Sequence, residues 1–161
     1  MLKNHKRRQQ AARRGETPER WRLYESSAGK VPKELEEMFS GIPRLRQVKH
    51  KPKVPALTAA ENEILRRSLN AIERHGIKRV ERAVDLEGDV PPNIVPVVAA
   101  RPLMELKVKS SQHNPRFIYV DCNDVAVFLD AFKKKTQKLE KKNIKRSADR
   151  YSDLKSRGEC T

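Results

Sequence analysis

Aromatic residues are scarce in this 161-residue chain: one Trp, three Tyr and four Phe, or 5%. The length gives room for one domain of about a hundred residues with extensions, and argues against two independent cores. Cysteine is scarcer still. Cys122 and Cys160 form no ligand cluster, so they read as reduced thiols in a cytoplasmic protein. The histidines, His5, His50, His75 and His113, show no metal-ligand spacing, and no metal or cofactor is expected. No stretch approaches eighteen uncharged apolar residues, which excludes a membrane-spanning helix. The basic start lacks the apolar segment of a secretory leader.

Positive charge, by contrast, is abundant. Thirty-six Lys and Arg against twenty-one Asp and Glu give a net charge of +15, and charged residues reach 35%. Average soluble proteins carry about 25%. Such a surface attracts polyanions, so nucleic acid, including the ribosome, is the first partner to consider. An acidic protein comes second and an anionic membrane third.

Residues 1–19 form a basic, apolar-poor arm that cannot bury enough surface to fold alone. Structure is expected from Trp21, with a short strand over Trp21–Glu25 and a turn at Gly29. A helix carrying Leu35, Met38 and Phe39 then ends at Gly41 and Pro43. Residues 44–56 are a basic connector that includes Arg46. Thr58-Ala59-Ala60-Glu61 is a capping box opening a second helix, with Ile64, Leu65, Leu69 and Ile72 as its apolar stripe and Gly76 as its stop. Residues 77–100 carry no clear period; Asp85 to Pro96, with Gly88 and three prolines, reads as a long loop or insertion.

From Pro102 the pattern turns to β. Met104, Leu106 and Val108 alternate with Glu105, Lys107 and Lys109. Arg116–Val120 is the next strand, with Tyr119 on the face of Phe117 and hence in the core. Asp121–Asp124 makes a tight turn into Val125–Phe132. Ile144, Ala148, Tyr151 and Leu154 mark a terminal amphipathic helix with a basic outer face, and residues 157–161 are a tail. The expected order is β-α-α-β-β-β-α, an α+β domain with a small antiparallel sheet packed against helices.

The third of these strands delivers Lys133, Lys134, Lys135 and Lys138 to one sheet edge. Lys107 and Lys109, two apart on a strand, share a face. Arg116 suits bidentate binding of phosphate oxygens. Each of these cations also has a structural reading. An ion pair between Arg116 and Glu105 across the hairpin would make that arginine purely structural, and the lysines would suit a solvated strand end.

In this order, with these residues, the chain resembles the RelE/HigB superfamily of toxins, and within it the phage-associated HigB-like branch. Trp21 with Gly29-Lys30-Val31-Pro32 resembles that branch's opening strand and "GKSP" turn. Ala71-Ile72-Glu73-Arg74-His75-Gly76 is similar to the end of its second helix. Leu103-Met104-Glu105-Leu106-Lys107-Val108 resembles its "L-x-ELR" strand and Arg116-Phe117-Ile118-Tyr119 its "YRxxY". Phe132-Lys133-Lys134-Lys135-Thr136-Gln137-Lys138 resembles "FxKKTxK". Lys107 stands where Arg is usual and Glu140 where Pro is usual.

The resemblance spans residues 20–156 and implies a RelE-like fold. It also implies a metal-independent, ribosome-dependent mRNA endoribonuclease that is neutralised by a helix-turn-helix antitoxin. The implied catalytic residues are Lys107, Arg116 and Lys134, with Lys107 as base. The implied RNA-binding residues are Lys109, Lys133, Lys135, Lys138 and Arg46. Such enzymes often carry a late aromatic or histidine, and none lies between Phe132 and Tyr151. Tyr151 shares its register with Ala148 and Leu154, and His113 sits in an exposed turn. The rival expectation is a protein on the same fold that binds a protein or nucleic-acid target without cleaving it, as ParE relatives do.

Overall fold

The alternating stretches of the second half become the centre of a sheet. The computed structural model describes residues 19–42, 48, 52, 55–110, 114–134 and 140–161. Among them are five strands: β1 (Trp21–Leu23), β2 (Asn93–Pro96), β3 (Met104–Lys107), β4 (Pro115–Cys122) and β5 (Val125–Lys133). Four α-helices accompany them: α1 (Lys33–Met38), α2 (Ala59–His75), α3 (Ile77–Arg82) and α4 (Lys141–Ser156). The sheet order is β1-β5-β4-β3-β2. The fold is α+β, as expected, with two corrections.

The sheet is not wholly antiparallel: β1 lies parallel to β5, with Arg22 opposite Val127. A parallel pair needs a long crossover, and everything from α1 to β4 supplies it. The stretch read as a long loop is largely structured. It holds α3, the edge strand β2 paired with β3, and a 3-10 turn at Val98–Ala100. Its prolines hid the strand, but an edge strand tolerates them because its outer side needs no donors.

Local signals act as read elsewhere. Thr58 Oγ1 accepts from the Glu61 N–H at 3.1 Å and the Glu61 carboxylate accepts from the Thr58 N–H at 2.8 Å, completing the capping box. Asn123 and Asp124 have φ of 55° and 71°, the left-handed pair that a two-residue hairpin turn requires.

One face of the sheet is aromatic. Phe39, just after α1, lies 5.4 Å from Phe117 and 5.2 Å from Phe128, with Trp21 stacked at 6.0 Å. Tyr119 is fully buried on the same face and its hydroxyl donates to Glu81 of α3. The other face receives α4. Leu154 is buried and Ile144, Ala148 and Tyr151 pack half-buried against the core, as expected, but the most buried positions of α4 also include the polar Asn143 and Ser147, and Arg150 turns inward beside them. The basic face of α4 is therefore not wholly outward.

The last residues also return to the sheet. Gly158 adopts φ 73°, and the Glu159 N–H closes on the Leu154 carbonyl at 2.9 Å, reversing the chain. Cys160 then forms a disulfide with Cys122, Cα–Cα 4.9 Å, 38 residues away. The expectation of free thiols fails because this proximity is created by the helix reversal and leaves no trace in spacing. It also removes the ground on which the cysteines suggested a reducing compartment. No helix among the described residues is long and apolar enough to cross a membrane.

Candidate functional site

Strand register decides which cations meet. Lys107 of β3 lies directly opposite Arg116 of β4, and Arg116 lies opposite Phe132 of β5. One step further, the Lys134 N–H donates to the Asn114 carbonyl at 3.3 Å, prolonging the ladder. Alternation puts Glu105, Lys107, Arg116 and Lys134 on the face that α4 covers further along. Arg116 is the hub. Its Nε is 3.0 Å from Glu105 Oε1, and both side chains are nearly buried, 11% and 5% exposed. The pair lacks an aligned hydrogen bond between those atoms. The expected cross-hairpin ion pair therefore forms.

Electrostatics link the group. Desolvation pushes the Lys134 ammonium below its usual range; Arg116 and Lys107 push the same way, and Glu105 opposes them. A lysine so placed loses its proton more readily than one in water. Lys107 is half-buried beside Arg116, whereas Lys133 is exposed at the strand end. Lys109 is exposed beyond the end of β3. Arg46, Lys135, Lys138 and His113 lie outside the described residues.

A second group escaped sequence reasoning. Asp130, fully buried in β5, accepts from Asn143 Nδ2 at 3.2 Å, from Arg146 Nη2 at 2.9 Å and from the Ala131 N–H at 2.9 Å. Arg150 lies 3.7 Å from the same carboxylate, donates to the Leu129 carbonyl at 2.6 Å and bonds Glu34 of α1 at 2.6 Å. These contacts fix the start of α4 against the strand that ends in Lys134. The available signal was one acid inside the apolar run Val125–Phe132. Buried charges are paired, so a cationic partner was implied.

Beside the cluster, β5, α1 and the start of α4 enclose a cleft of about 660 Å³, with Lys133 and Lys134 on its wall. Among the described residues no three His, Cys, Asp or Glu side chains gather to hold a metal.

The fold thus brings Lys107, Arg116 and Lys134 to one sheet face, a local concentration of positive charge in an α+β domain. A family model, phage derived protein Gp49-like (DUF891), matches residues 56–152, more than half of the chain, and the chain belongs to that family, a RelE/HigB-like toxin family. No curated protein and no solved structure matches the chain. The matched span opens with the residues just before α2 and contains both the cluster and the Asp130 network.

Proposed function

We propose that this protein is the toxin of a type II toxin-antitoxin system, a ribosome-dependent mRNA endoribonuclease on a RelE-like fold. The observation that carries the reading is the meeting of Lys107, Arg116 and Lys134 on one sheet face, with the Lys134 proton loosened. Residues 20–156 are the toxin domain and the basic residues 1–19 an RNA-contacting arm. The partners are mRNA, the ribosome and a helix-turn-helix antitoxin that covers the basic face, in the cytoplasm.

In this reading Lys134, deprotonated, takes the proton of a ribose 2′-hydroxyl. The 2′-oxygen attacks the adjacent phosphorus, and the bond from phosphorus to the 5′-oxygen breaks. Arg116, steadied at Nε by Glu105, binds the phosphoryl oxygens, and the Lys107 ammonium returns a proton to the departing 5′-oxygen. The products are a 2′,3′-cyclic phosphate and a 5′-hydroxyl. Positioning and charge stabilisation supply most of the rate in such a scheme. Lys109, Lys133, Lys135, Lys138 and Arg46 hold the strand.

One observation favours a second reading, in which the fold binds its target without cleavage. Arg116 is already matched by a nearly buried Glu105. Expression of the chain beside an Arg116→Ala, Lys134→Ala double variant separates the two. The nuclease predicts growth arrest with new 5′-hydroxyl RNA ends, both lost in the double variant. Arrest without new ends would leave the binding reading standing, and arrest unchanged in the variant would remove the site.

A further inference from the structure

β1 pairs with Ala126–Phe128, and among the described residues no strand lies on the outer side of the second half of β5. Side chains cap that edge: Arg150 bonds the Leu129 carbonyl and the Asp130 carboxylate takes the Ala131 N–H. An added strand would find those groups taken. What remains is the cleft, whose 660 Å³ falls within the roughly 300–1,000 Å³ typical of small-ligand sites.

Its lining decides between ligands. Met38, Pro55 and Phe132 give it apolar wall, and Lys134 belongs to both the cleft and the cation cluster. Three carboxylates, Glu34, Glu37 and Glu140, also face it, against the cations Lys133, Lys142 and Arg146 besides Lys134, so neither sign of charge dominates and the apolar wall and the individual acceptors matter more. A nucleobase is neutral and flat and carries donors at its edge, so it meets apolar wall and acceptors together. The three acids are not equally free. Glu34 is held by Arg150 at 2.6 Å and Glu140 by Lys142 at 3.2 Å. Among the described residues Glu37 has only a 3.8 Å contact with Lys33, whose side chain is 88% exposed.

We propose that the cleft is a subsite for the base next to the phosphate gripped by Lys107, Arg116 and Lys134, with Glu37 as its specificity residue. Glu37 accepts a hydrogen bond from an exocyclic amino group, so cytosine, adenine or guanine is taken in preference to uracil. This rests on the RNA reading of the cluster.

The test is fluorescence anisotropy with labelled 2′-O-methyl hexamers of cytidine and of uridine, which bind without being cut. The cytidine hexamer should bind about tenfold tighter, the effect of one hydrogen bond to a charged acceptor. Glu37→Ala should erase the difference between the two hexamers. Glu37→Gln, which still offers a carbonyl acceptor, should keep part of the preference. Lys134→Ala should weaken both hexamers alike. Equal binding by the unaltered chain, or a preference that survives Glu37→Ala, overturns the subsite alone. Failure of both hexamers to bind at low salt overturns the RNA reading together with it.

Discussion

Replacing Asp130 with alanine removes the carboxylate on which Asn143, Arg146 and Arg150 converge. Asp130 is fully buried, and deleting one partner of a buried ion pair costs about 3–5 kcal/mol. Three features pull the figure toward the lower end. Arg150 keeps Glu34 and the Leu129 carbonyl. The Arg146 side chain is 40% exposed and can rehydrate. The groups left stranded are Asn143 Nδ2 and the Ala131 N–H, whose partners were Asp130 oxygens. The expected loss is about 3 kcal/mol, a fall in Tm of roughly 6–12 °C for a chain of this size.

Arg146→Ala leaves Asp130 with Asn143, the Ala131 N–H and the 3.7 Å contact to Arg150, and should cost about 2 kcal/mol. The double variant should fall short of the sum by about 1 kcal/mol or more, because the residues share one interaction. Urea unfolding of the four proteins measures all of this. Single losses below about 0.5 kcal/mol, or strict additivity, would refute the claim that this network holds α4 to β5.

The pH dependence has a definite sign. Burial raises the Asp130 carboxyl, against the hydrogen bonds and charges that lower it. A carboxyl raised by folding contributes fully below its unfolded pKa of about 3.9 and loses that contribution as pH climbs through the folded value. The deficit of Asp130→Asn should therefore shrink from acid toward neutral pH; a deficit that grows would contradict burial as the dominant effect.

Three further outcomes follow from the contacts. Glu105→Gln removes the charge that supports the Lys134 ammonium, so Lys134 should titrate lower still and react faster with amine reagents at fixed pH; mass-spectrometric labelling that finds Lys134 unchanged would separate it from the cluster. Cys160→Ser opens a loop with a 38-residue separation, which by loop-closure entropy costs about 4 kcal/mol. Reductant should destabilise the unaltered chain by a similar amount and leave Cys160→Ser unaffected in urea unfolding. Thr58→Ala breaks the capping box and should cost about 1 kcal/mol by the same assay, with the cluster and its chemistry untouched.

Much of the fold was legible because its signals are local. The capping box, the Gly76 stop, the Asn123-Asp124 turn and the alternation of β3 and β4 each occupy a few consecutive residues. Steric and hydrogen-bonding rules act over that range. Lys107, Arg116 and Lys134 were nominated by the family resemblance, and their places at the ends of neighbouring strands agreed with it. The edge strand β2 was hidden by Pro91, Pro92 and Pro96, whose usual meaning is a loop. The inward role of Arg146 and Arg150 was hidden because they look like surface residues until Asp130 is placed beneath them.

The sequence by itself determined the α+β class, the strand and helix sequence of most of the chain, its strongly basic character, and the cations worth testing. Those properties depend on charge count and short-range periodicity. Tertiary structure alone decided the parallel pairing of β1 with β5, the Cys122–Cys160 bond, the Asp130 network and the cleft beside Lys134. It also placed Lys134 where desolvation and neighbouring cations lower its ammonium pKa. Each of these depends on groups far apart in the chain being brought within a few ångströms, where burial weakens screening and makes pairing decisive. No local pattern encodes that proximity.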